Sequence, residues 1–127
     1  MNQGLAKAYT AGGAIAPCRF IKFGSDDLTI LQASAATDLI IGASDYNREG
    51  TSASTGDTVD GILSGIVAVK YGGTVTRGQL VTSDASGQAI TATATAGSNV
   101  RTAGIAMVSG VSGDIGRVFL SPGSFQG

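Results

Sequence analysis

Histidine and tryptophan are absent from this 127-residue chain, cysteine occurs once, and charged side chains make up only 13% of it. Each scarcity closes off a class of function. Without imidazole there is no neutral-pH general acid or base, no Ser-His or Cys-His nucleophile, and no ordinary zinc site. Carboxylate pairs, a Ser-Lys arrangement or a carboxylate metal site would remain, and none has a recognisable spacing. The chain therefore reads as a non-enzyme, with no catalytic, cofactor-binding or metal-binding residue assigned and no cofactor. The single Cys18 cannot form an internal disulfide. Eight Lys+Arg balance nine Asp+Glu without a basic run, so the electrostatic footprint of a nucleic-acid binder is missing. No stretch approaches the roughly 18 apolar residues of a spanning helix. The start, MNQGLAKAYTAGG, lacks the basic and apolar regions of a signal peptide, and the expectation is synthesis in a cytoplasm-like compartment.

What is abundant is small. Gly, Ala, Ser and Thr supply half the chain, 43% of residues are hydrophobic, and mean hydropathy is +0.24. The length suits one domain, because two independent cores would each bury too little apolar surface. Residues 1–16 carry Gly4, Gly12 and Gly13 without a clean period and read as an extended N-terminal arm. Residues 17–127 read as a single all-β domain. CRFIKFG alternates as a half-buried strand, and Ser25-Asp26-Asp27 breaks it. Apolar runs follow at Leu28–Leu31 and Leu39–Gly42, then a polar loop over 44–58. Beyond it come VDGILSGIVAVKYGG, TVTRGQLVTS with a turn at Gly78, the turn SDASGQ, AITATATA, TAGIAMVSG, IGRVFLS and a PGSFQG tail. Short strands with Gly-bearing turns at roughly ten-residue intervals predict a small β-barrel, β-tulip-like or sandwich domain of antiparallel strands.

Ser64–Val69 echoes Ala103–Val108, and each is followed by a Gly-rich turn and another strand, 79–83 or 117–121. Two readings stand: a duplication, or hairpins that share turn chemistry.

Asp45-Tyr46-Asn47-Arg48-Glu49-Gly50 resembles the front half of a calcium loop, but Gly56 stands where the bidentate Glu belongs, with Asp57 one place late. A solvated loop is the better reading. Gly110–Gly116 has phosphate-loop spacing, yet no Lys and no helix pattern follow, so its glycines are assigned to a β-turn. Arg19 beside Cys18 would lower a thiol pKa, but the commoner role of a lone Cys is as an apolar strand partner. Thr91, Thr93 and Thr95 read as an exposed strand face.

From Gly65 to Gly123 the chain resembles the capsid cement, or decoration, proteins of tailed bacteriophages. The resemblance rests on a V-x-x-G-x-L-V-T turn and strand (Val75, Gly78, Leu80, Val81, Thr82), on Gly87, on a G-I-A strand (Gly104, Ile105, Ala106), and on an S-G-D-x-x-R-V ending (Gly113, Asp114, Arg117, Val118). It implies a structural virion protein on the outer capsid surface that bridges neighbouring major capsid subunits and resists internal DNA pressure. It also implies a homo-oligomer, a trimer favoured and a dimer possible. Residues 1–16 would then order only on the capsid or within the oligomer. Ile105, Val118 and Leu120 are expected to face the barrel interior. The alternative is a receptor- or glycan-binding β-domain of a phage fibre or tail, for which Tyr46 and Tyr71 are the loop aromatics.

Overall fold

A computed structural model of the chain describes residues 5–45, 52–93 and 99–126. These residues are all-β, with ten strands and no helix. The first five are β1 (Ala6–Ala11), β2 (Phe20–Phe23), β3 (Thr29–Gln32), β4 (Ile40–Ser44) and β5 (Thr58–Ile62). They close into a barrel in the order β1-β3-β2-β4-β5, with β1 parallel to β3 and antiparallel to β5. The second five are β6 (Ile66–Lys70), β7 (Leu80–Ser83), β8 (Ala89–Thr91), β9 (Asn99–Ala106) and β10 (Ile115–Gln126), ordered β6-β10-β9-β7-β8.

Read around from β1, the barrel runs β1-β5-β4-β2-β3, which is the order of the second sheet strand for strand. The parallel closure of the first unit, Ala11 against Ile30, returns in the second as an isolated parallel bridge between Tyr71 and Ala89. One antiparallel bridge inside each unit, Ile15 to Ala53 and Val75 to Gly110, is likewise matched. The chain is thus a duplicated five-strand unit. The echo of Ser64–Val69 with Ala103–Val108 pairs β6 with β9, which are not counterparts; the counterpart of β6 is β1. Side-chain divergence hides the true repeat, since what is kept is turn geometry and pairing.

The turns show that geometry most plainly. Gly56, Gly78 and Gly113 have φ of 93°, 90° and 96°, each in the turn that leads from a bridge residue into a strand. In each, the first residue's amide donates to the side chain of the fourth: Ser54 to Asp57 Oδ2 at 2.8 Å, Thr76 to Gln79 Oε1 at 2.9 Å, Val111 to Asp114 Oδ2 at 3.0 Å. Cys18 takes the equivalent place before β2 with φ 58°. There Ser44 closes the turn, accepting from the Arg19 amide at 3.0 Å and donating to the Ala16 carbonyl at 2.7 Å. Nothing lies within 4 Å of a Cβ at Gly113, so the cost of Gly113→Ala is purely conformational. We expect about 1–2 kcal/mol, read as a lower urea midpoint with an unchanged m-value.

Two apolar clusters hold the units. One fills the first barrel with Tyr9, Ala11, Ile15, Ile21 and Ile30. The other joins the opposite face of that barrel, at Phe20, Ala43 and Ile62, to second-unit residues that include Val67, Val81, Val118 and Leu120. Backbone bonds stitch the junction: the Phe20 amide donates to the Gly87 carbonyl at 2.8 Å and the Lys70 amide to the Cys18 carbonyl at 3.0 Å. Gln32 Nε2 adds a bond to the Ser86 carbonyl at 3.0 Å.

Three sequence expectations change. Residues 6–11, inside the segment read as an arm, are a barrel strand, and Ile15 is buried in the barrel. Glycines flanking a short strand blurred its period; residues 1–4 lie outside the described part. The expected PGSFQG tail continues β10 through a register shift between Leu120 and Gly123, where Pro122 falls in the irregular stretch and removes no ladder bond from a regular one. Val118 and Leu120 are buried as expected, but Ile105 is only half-buried. It pairs with Phe119, and a residue opposite Phe119 shares its face, away from Val118.

Candidate interaction surface

Among the described residues no three His, Cys, Asp or Glu side chains gather where a metal could be held. Most of the calcium-like segment, Tyr46–Gly50, lies outside the described residues; Asp57 spends its carboxylate on the Ser54 amide. Gly110–Gly116 holds a β-turn whose Val111 amide is occupied by Asp114. Cys18 is buried, in the turn before β2 and not within the strand, and burial pushes its thiol pKa up against the pull of Arg19. Thr91 Oγ1 donates to the Thr74 carbonyl at 3.3 Å, and Thr95 lies outside the described residues.

Tyr71 is no exposed loop aromatic. Its ring is fully buried and its hydroxyl donates to the Val108 carbonyl at 2.6 Å, while burial raises its pKa. Tyr71→Phe should cost about 1–2 kcal/mol by orphaning that carbonyl, measurable by chemical denaturation.

Among the described residues, one ion pair ties a strand to a loop. Lys22 on β2 meets Asp38 at 3.1 Å, and the same carboxylate accepts the Ser34 amide at 2.8 Å and the Ala35 amide at 3.1 Å. Burial would raise the Asp38 pKa, but the Ser34 amide, Lys22 and the Ala35 amide together hold it below the usual value. A carboxyl lowered by folding stabilises above its unfolded pKa and loses that contribution as pH falls through the folded one. Asp38→Asn should therefore flatten the fall in stability between neutral and strongly acidic pH, as followed by thermal melts across that range.

The exposed apolar side chains have an order. On β10, Ile115, Arg117 and Phe119 point outward between the buried Gly116, Val118 and Leu120. Ladder pairing sets Phe119 beside Ile66 on β6 and Ile105 on β9, and Ile105 beside Leu80 on β7. The result is an apolar row of four strands' width, with Leu80 42% and Phe119 46% exposed. Ile115, 46% exposed, lies on the same face of β10 four residues before Phe119, with Arg117 between them. In the first unit the matching pairs run Ala6–Ile62–Ala43–Phe20. There Ile62, Ala43 and Phe20 are at most 2% exposed, covered in the shared core. The same row is covered in one unit and open in the other.

Charge separates in the same way. Seven of the nine carboxylates fall in residues 1–64, whereas the eight cationic side chains divide equally between 1–64 and 65–127. In the second unit Asp84 and Asp114 both cap turns. Its outward face carries Lys70 and Arg117, with Arg117 standing where the first unit has Asp60.

Of the residues that carried the sequence resemblance, most serve the fold: Val75 bridges, Gly78 and Gly113 turn, Val81, Thr82, Ala106 and Val118 are buried, and Asp114 caps. Leu80, Ile105 and Arg117 lie on the open face. Phe119 and Ile66, which complete the row, were missed. Their signals were the apolar runs Val118–Leu120 and Ile66–Val69, which put apolar residues on both faces of their strands.

Known proteins give three findings. No curated protein matches the chain. The fold is that of the head fiber gp8.5 N base in bacteriophage phi29, with a TM-score of 0.69 at 16% identity over 92% of this chain and 93% of that one. The family model for phage cement proteins matches residues 1–120. This chain, which presents an open apolar sheet face and which that model spans almost end to end, belongs to the phage cement protein family, a family of non-enzymatic structural proteins.

Proposed function

We propose that this protein binds the outer surface of the assembled phage head, bridges neighbouring major capsid subunits and stabilises the shell against internal DNA pressure. Family membership over residues 1–120 carries this reading. The likeness to a head fiber base accords with a place on the virion head. Physically, a cement protein must present apolar, backbone-close surface to partners, and the face around Phe119 and Leu80 does so on a chain with few charges. The proposal includes a homo-oligomer, a trimer over a dimer, and a chain whose two units act as one domain through their shared core. Purified protein mixed with stripped, expanded heads should bind saturably and should not bind unassembled capsid subunits. Equal binding to both, or none to heads, would overturn the reading. The receptor- or glycan-binding alternative loses one of its two loop aromatics, because Tyr71 is buried.

A further inference from the structure

The open row of the second unit has a counterpart that shows what covers it. In the first unit that row is sealed by the second unit of the same chain, and part of the seal is the β7–β8 turn: Gly87 gives its carbonyl to the Phe20 amide and is packed against Arg19 and Gln32. The corresponding turn of the first unit, between β2 and β3, makes no such contact with the second unit: the Leu28 carbonyl accepts from the Thr10 amide of β1 at 2.8 Å and the Phe23 ring stands edge-on to Tyr9. The turn carries Asp26 and Asp27 beside Phe23 and Leu28, which are 50% and 58% exposed. The chain thus holds both halves of its own unit-to-unit contact unused: an apolar acidic turn at one end, and at the other an apolar row at Leu80, the counterpart of Phe20, flanked by Arg77, Arg117 and Lys70.

We infer that the β2–β3 turn of a second copy covers the Leu80–Ile105–Phe119 row, so that copies join head to tail by repeating the contact that already joins the two units within one chain. This rests on the homo-oligomeric part of the proposed function and names its surfaces. The charges agree: the turn is anionic, the rim of the row is cationic, and each apolar element is exposed in the single chain. A contact between two different surfaces is heterologous and closes into a ring when its rotation allows. A face pairing with itself would bring two cationic rims together and gain nothing from Asp26 or Asp27.

Sedimentation of two variants, alone and mixed, tests this. Phe119→Asp damages the row and leaves the turn intact; D27K/L28K damages the turn and leaves the row intact. All of the substituted side chains are exposed, and circular dichroism, expected to match wild type, reports the fold. Wild type should sediment as an oligomer and each variant alone as a monomer. The equimolar mixture should form a one-to-one dimer, because it retains one intact turn and one intact row. Three outcomes would overturn the inference: a monomeric wild type, wild-type assembly by either variant, or no dimer in the mixture. Binding of wild type to heads, read separately, decides the proposed function.

Discussion

Phe20→Ala should lower stability by about 3–5 kcal/mol, a drop in melting temperature of roughly 10 °C or more. Phe20 is completely buried in the cluster shared by the two units, with Ala43 and Ile62 beside it and residues such as Val118 and Leu120 across the junction. Its amide also ties the second unit down, donating to the Gly87 carbonyl at 2.8 Å. Removing the ring opens a cavity that a junction between two sheets cannot close by moving one side chain. The counterpart substitution Leu80→Ala removes an exposed side chain and should cost the isolated chain less than about 1 kcal/mol. Paired denaturation curves check the contrast. Equal losses at Phe20 and Leu80 would mean that equivalent positions are not buried differently, contrary to the structure.

A comparably large loss is expected from Gly104→Ala. A Cβ at Gly104 would run into the backbone carbonyl of Phe119 on the neighbouring strand, and one at Gly42 into that of Ile62. These glycines are counterparts in β9 and β4, so both units draw two strands together at the same point. The obstruction is main chain and cannot rotate away, so β9 and β10 would have to separate near Leu120. We expect a loss of about 3 kcal/mol or more, above the usual overpacking cost because no side chain can yield. Gly113→Ala, with open space around it, serves as the control: the same atoms added, a smaller penalty. Similar losses at both positions would show that close approach is not what Gly104 provides.

The contrast of Gly104 with Gly113 also shows what could be read from the chain. Gly78 and Gly113 announce themselves, because a Gly before Gln or Asp between apolar runs is a turn signal that needs no tertiary partner. Gly104 sits inside a strand pattern, where its reason lies on another strand and is invisible until the register is known. The same holds for Ile105. Alternation within a strand says that Ile105 and Ala106 face opposite ways, but only pairing with Phe119 says which way is out. All-β architecture and most strand positions were legible, because local period and turn chemistry suffice for them. The duplication was not, since it lives in strand order, and neither was the role of β1, which needs β3 and β5 to be a strand at all. That the chain is a structural protein and not an enzyme, as its family shows, was legible from composition. The open row was not, because an apolar residue on a strand gives no sign of which of its two faces will be covered.

The central claim is that this small, sparsely charged fold reinforces a phage head. The most direct measurement is the temperature at which packaged DNA escapes from heads stripped of the protein, compared with the same heads after it is added back. The account predicts that release shifts to higher temperature as added protein saturates the shell. Release at one temperature for bare and fully decorated heads would contradict it.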